Sequence, residues 1–151
     1  MDANDRLGLL SYLQELGWLS KDEVILHLET PGEGNMNCLL RLKTSLRTVI
    51  LKQARPWVEK YDQIEAPSDR ALIEAAFYTA VKPYPALQGQ MPELLAVDRQ
   101  ARMLMLEDLG KGSDYTSIYQ GSTLNQSDLS QLVHYLSNLH KLRVSRPSEF
   151  A

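Results

Sequence analysis

Cysteine occurs once in these 151 residues, as Cys38. A single thiol closes no internal disulfide and builds no cysteine-based zinc cluster. Histidines are few as well: the three, His27, His134 and His140, show no metal-ligand spacing with a carboxylate partner. No apolar run approaches the roughly 18 residues a bilayer span needs. The opening MDANDRLGLL is acidic and polar at its start, unlike a signal peptide. Basic excess is missing too. Sixteen Lys and Arg against 19 Asp and Glu leave a net charge of −3, so only a local basic patch could serve a nucleic acid. These absences lead to the expectation of a soluble cytoplasmic protein with neither nucleic-acid nor membrane partners.

What is present suits a globular domain. Hydrophobic residues make up 44% and charged residues 23%, enough for one real core. Asn4 or Asp5 can cap a first helix striped by Leu9, Leu10, Leu13 and Leu16 and ended by Gly17. In EVILHLE, alternation places Val24, Leu26 and Leu28 on one strand face. NCLLRLK is a second strand with Cys38, Leu40 and Leu42 on one side, Arg41 and Lys43 on the other. After a turn at 44–47, TVILKQA is apolar on both faces until Lys52. Short turns between three strands imply an antiparallel meander. Pro56 stops the pattern. Residues 57–66 receive no assignment.

A helix follows in PSDRALIEAAFYTAVK, with Ser68 as its expected N-cap. ELLAVD and RMLMLEDL read as two more strands around a turn at 99–101. A polar, glycine-bearing linker leads to a last helix, expected from Ser127 to Arg143. Its stripe is Leu129, Leu132, Val133, Leu136, Leu139 and Leu142. Five strands with one helix after the third make an α+β layout.

Four features could carry chemistry. Gly32 and Gly34, with Asn35 and Asn37, form either a plain hairpin turn or a loop whose amides cradle an anion. No lysine followed by Ser or Thr closes it as a Walker loop, and GKGS at 110–113 has Met105 where the required glycine would stand. Lys52 is either a snorkelling strand-end lysine or a phosphate ligand. Glu74, on a partly apolar helix face, has two candidate cations: Lys52, or Arg70 four residues earlier. Glu107-Asp108-Leu109 is either a charged strand end or a hinge whose backbone meets an adenine edge.

Taken in order, GEGNMN, VILKQARPWVEKY, DRALIEAAFY and MLMLEDL resemble the N-terminal lobe of protein-kinase-like enzymes. More narrowly they resemble the aminoglycoside phosphotransferase and choline kinase superfamily, methylthioribose kinase-type phosphotransferases above all. The likeness is good over Gly32 to Leu109. It implies a five-stranded antiparallel N-lobe over 1–109 and, over 110–151, a hinge and the first helix of a C-lobe. It implies that Gly32, Gly34, Asn35 and Asn37 cover the phosphates of ATP, that Lys52 contacts them, and that Glu74 holds Lys52. Glu107 and Leu109 would offer backbone groups to adenine, with Leu106 behind the base.

The resemblance stops short of the catalytic half. None of the three histidines begins a His-x-Asp catalytic loop, and the Mg²⁺ ligands are expected in the absent C-lobe. The chain therefore reads as the ATP-binding lobe of a small-molecule phosphotransferase, inactive alone. The acceptor would be a sugar, an aminoglycoside or a similar hydroxyl compound, bound only in a complete enzyme. The alternative is a degenerate, non-catalytic lobe that binds a partner. In either case the last helix is expected to expose an apolar face and drive self-association or partner binding.

Overall fold

Asp5 starts the first helix, α1 (Arg6–Glu15), by accepting the Gly8 amide at 2.9 Å. Leu9 and Leu13 turn inward, and Gly17 ends the helix at φ +69°. A computed structural model describes residues 1–2, 4–32, 36–112 and 115–142. Gly34, Asn35 and Arg143, all named above, lie outside them.

Five strands form one antiparallel sheet: β1 (Ile25–Glu29), β2 (Cys38–Thr44), β3 (Thr48–Gln53), β6 (Leu94–Asp98) and β7 (Met103–Glu107). Their order is β1-β2-β3-β7-β6. The β2–β3 turn is folded by Thr44, whose hydroxyl accepts the Leu46 and Arg47 amides and donates to buried Glu23.

The alternation expected of β1 is corrected. Ile25 pairs with Thr44 but His27 pairs with Lys43, so one extra residue, Leu26, bulges from the ladder. The bulge puts Ile25 and Leu28 toward the core and leaves Val24 and Leu26 exposed.

The segment 57–66 is a small hairpin: β4 (Trp57–Val58) pairs with β5 (Tyr61–Glu65). The helix α2 (Arg70–Val81) begins one residue later than expected, with Asp69 at the cap instead of Ser68. The Asp69 carboxylate does not bond the helix amides; it accepts from Arg102 Nε at 2.7 Å. In α3 (Gln126–His140) the cap is likewise Asn125, not Ser127, its side chain accepting the Asp128 amide at 2.8 Å.

The centre of the sheet, at β3 and β7, is covered on both faces. Against one, α1 packs Leu9 and Leu13 onto Leu40, Leu42, Val49, Leu51, Met103 and Met105. Against the other, α2 packs Ala71 and Ala75 onto Leu104 and Leu106. Two-sided burial explains why β3 and β7 read as continuous apolar runs. The Tyr12 hydroxyl hydrogen-bonds the Asp98 carboxylate, tying α1 to the end of β6. Among the described residues no helix is long and apolar enough to cross a membrane.

α3 lies apart from both cores. Asn138 Nδ2 reaches the Ala86 carbonyl at 3.5 Å, in the 3₁₀ turn Pro85–Leu87. Leu129, Leu132, Val133 and Leu136 are 41%, 37%, 56% and 44% exposed, as the stripe predicts for a helix without a covering layer.

Candidate functional site

Lys52 sits near the end of β3, two residues beyond Ile50 and on the same face, the one covered by α2. Its Nζ lies 2.7 Å from Glu74 Oε2 and 2.8 Å from Oε1. The pair is about one-quarter exposed, Lys52 22% and Glu74 25%. Water therefore screens it, and its contribution to stability is on the order of 1 kcal/mol or less. An ion pair this inexpensive to rearrange holds an ammonium in place while leaving it able to meet an anion.

Arg70 does not compete for Glu74, although the helical spacing allows it. Its Nε donates to Asn37 Oδ1 at 2.8 Å. Its Nη1 reaches the carbonyls of Arg55 and Pro67 at 2.8 and 2.7 Å. Its Nη2 reaches those of Met36 and Trp57 at 2.6 and 3.2 Å. The guanidinium fork is filled by neutral oxygens, and Glu74 is left to Lys52.

The segment between β1 and β2 contains Gly32 at φ +60°, a conformation that favours glycine. Gly34 and Asn35 are outside the described residues. Asn37 stands at the foot of β2 with its side-chain oxygen held by Arg70, so the exit of the loop is fixed to the start of α2.

Across the sheet, Leu106 is buried opposite Ile50. Glu107 bonds back to β6: its amide donates to the Glu93 carbonyl at 2.9 Å and its Oε2 accepts the Glu93 amide at 3.1 Å. Leu109, past the strand, is exposed. Lys52 and Glu74 thus touch directly. Asn37 joins them through α2, Leu106 shares their face, and Glu107 and Leu109 mark the far side.

Sequence reasoning missed Arg41. This β2 residue contacts Glu29 at the end of β1 and Asp108 beyond β7. Its hydrogen bonds to Glu29 and Asp108 push its pKa further up, and the same Arg41 bond pulls that of Glu29 down. The only local signal was an arginine on the polar face of β2; nothing in the sequence connects it to a residue 67 positions away. Tyr78, one turn after Glu74, has its hydroxyl pKa raised by burial, with the charges of Glu74 and Tyr135 adding.

A cavity of about 580 Å³ opens beside the C-terminal half of α2, between Tyr78, Lys82, Leu87, Met91, Glu93 and Glu107. Of the expected site residues among those described, Glu107 alone lines it.

No protein-family model matches the chain. It is 28% identical over 129 residues to a methylthioribose kinase of Cronobacter sakazakii, covering 83% of this chain and 29% of that protein. It is 28% identical over 150 residues to a methylthioribose kinase of Pectobacterium carotovorum, covering 92% of this chain and 36% of that protein. The chain thus spans about a third of the length of the curated relatives it matches.

Proposed function

We propose that residues 1–109 form the ATP-binding lobe of a small-molecule kinase, and that residues 110–151 carry the hinge and first helix of a second lobe. The observation that carries this reading is the Lys52–Glu74 ion pair, which joins β3 to the following helix. Lys52 neutralises charge on the α- and β-phosphates, and Glu74 keeps its ammonium aimed. Gly32, Gly34, Asn35 and Asn37 form the loop over the phosphates. Glu107 and Leu109 present backbone groups to adenine, with Leu106 behind the ring. The similarity to methylthioribose kinases supports a sugar hydroxyl as the acceptor. Transfer itself is assigned to residues outside these 151, which would supply the catalytic base and the Mg²⁺ ligands.

Calorimetric titration of the chain with ATP tests the reading. ATP binding that weakens about tenfold or more in Lys52→Ala is the expected result. A folded chain that binds no ATP overturns it.

That second outcome favours a different function, a non-catalytic module that docks a protein partner through α3. Its support is the exposed row Leu129, Leu132, Val133 and Leu136.

A further inference from the structure

Arg41 occupies an unusual crossroads. In register it lies opposite Ile50, which lies opposite Leu106, so its side chain is on the same sheet face as Lys52. Its Nε is 3.0 Å from Asp108 Oδ2, and its Nη2 donates to Asp108 Oδ1 at 3.1 Å. Nε makes no hydrogen bond at that distance; the fork is formed by Nη2 on Asp108 and Nη1 on Glu29, two carboxylates gripped by one planar guanidinium, which an ammonium does not reproduce. The Asp108 side chain is only 8% exposed, so it depends on that cation.

The contacts continue into the backbone. Nη2 of Arg41 also donates to the Gly110 carbonyl at 2.8 Å. The Gly110 amide donates to Asp108 Oδ1 at 3.0 Å, and Gly110 sits at φ +84°. Both backbone polar groups of Gly110 are therefore held by the Arg41–Asp108 pair. Leu109 lies between two anchored residues. On its other side, Arg41 Nη1 reaches Glu29 Oε1 at 3.1 Å, in the last residue before the glycine loop.

We propose that Arg41 is a positioning residue for base selectivity. It fixes the turn 108–110 so that the backbone groups of Glu107 and Leu109 meet the edge of adenine and reject guanine. This assignment rests on the nucleotide-binding reading above. The chemistry is a matter of complementarity: adenine presents an amino donor where guanine presents a carbonyl acceptor. A rigid backbone tells these apart, because the wrong base leaves polar groups unpaired, whereas a loose turn adapts to either.

The test is titration of the wild-type chain, Arg41→Met and Arg41→Lys with ATP, GTP and inorganic tripolyphosphate, which has phosphates and no base. The wild type is expected to prefer ATP. In Arg41→Met, ATP binding falls about tenfold, the loss of roughly one net hydrogen bond. The ATP-to-GTP preference collapses toward one, and tripolyphosphate affinity falls by less than ATP affinity, since the Lys52–Glu74 pair is kept and on the phosphate side only Glu29 loses its arginine. Arg41→Lys keeps the charge but loses the fork and falls between. A loss shared equally by all three ligands, or a preference unchanged in a folded Arg41→Met, overturns the assignment of Arg41 while leaving the nucleotide reading standing. A wild type that binds ATP and GTP alike does the same. A wild type that binds neither ATP nor tripolyphosphate overturns both. If Arg41→Met does not fold, Asp108→Asn removes one partner's charge with its shape kept, and is read in the same way.

Discussion

Arg70 Nε and Asn37 Oδ1 lie 2.8 Å apart, joining the first residue of α2 to the foot of β2 across 33 positions of chain. The remaining Arg70 donors go to backbone carbonyls of Met36, Arg55, Pro67 and Trp57. One side chain thereby satisfies oxygens from the loop exit, the β3 end and the β4–β5 hairpin. Replacing it with methionine keeps the stem and strands those acceptors. Arg70→Met is expected to cost about 2–3 kcal/mol in urea unfolding. A loss below about 0.5 kcal/mol would show that water replaces the guanidinium freely.

The Lys52–Glu74 pair predicts a small, salt-sensitive coupling. A double-mutant cycle of Lys52→Met and Glu74→Gln should give about 1 kcal/mol at low salt, falling as NaCl rises. Coupling of zero at every ionic strength would mean that the two groups do not hold each other in solution.

Tyr12 and Asp98 predict a stability profile with two sloping ends. The Asp98 hydrogen bond, with burial and the carboxylate's charge adding, raises the Tyr12 pKa from 10.0 to about 12. Its contribution is complete below pH 10 and is lost as pH climbs from 10 towards 12. For Asp98, burial pushes the pKa up, but the Tyr12 hydroxyl and the amides of Ala101 and Gln100 together hold it below its usual 3.8. Its contribution is present above that pH and is lost as pH falls through the lowered value. Thermal melts of Tyr12→Phe should flatten the alkaline slope and weaken the acid one. Identical profiles for variant and wild type would sink the assignment.

The row along α3 predicts behaviour in solution. Wild-type chain is expected to self-associate in sedimentation and to bind a hydrophobic dye. Leu132→Gln with Leu136→Gln should abolish both while changing unfolding free energy by no more than about 1 kcal/mol per site, because both positions are only partly covered. Dye-free, monomeric wild type would mean that the row is too dispersed to associate.

What could be read from the sequence followed burial. β2, β3 and β7 were legible because their apolar residues face packed layers. β1 was legible as a strand but not in its facing, since the bulge at Leu26 breaks a period that alternation assumes constant. The β4–β5 hairpin was hidden for the opposite reason: every residue of β5 is exposed, so hydrophobic patterning has nothing to report. Both misplaced caps fell on neighbouring polar residues, where the side chain's actual partner decides; for Asp69 that partner is Arg102, 33 residues away. Within the site, Lys52 and Glu74 were each visible as charges on apolar faces. Arg41 was not, and Arg70 was visible only as a rival cation for Glu74, because the partners of both are set by tertiary folding and Arg70 mostly grips the main chain.

The hydrogen-bonded clamps of α2 gather at its N-terminal end, whereas its far end rests on the buried side chain of Val81 and an exposed Lys82–Glu93 contact at 3.4 Å, and that gives it the mechanics of a lever. Asp69 and Arg70 clamp its N-terminal end to the β6–β7 turn and to the loop exit. The cavity lies beside its far end, at Tyr78 to Lys82. Glu74 is only four residues from that fulcrum, ~6 Å, whereas Val81 is eleven residues away, ~16 Å. Any swing about the clamp therefore moves Glu74 by about a third as much as Val81. The ion pair sits on the short arm, where it can survive a displacement that reshapes the cavity on the long one.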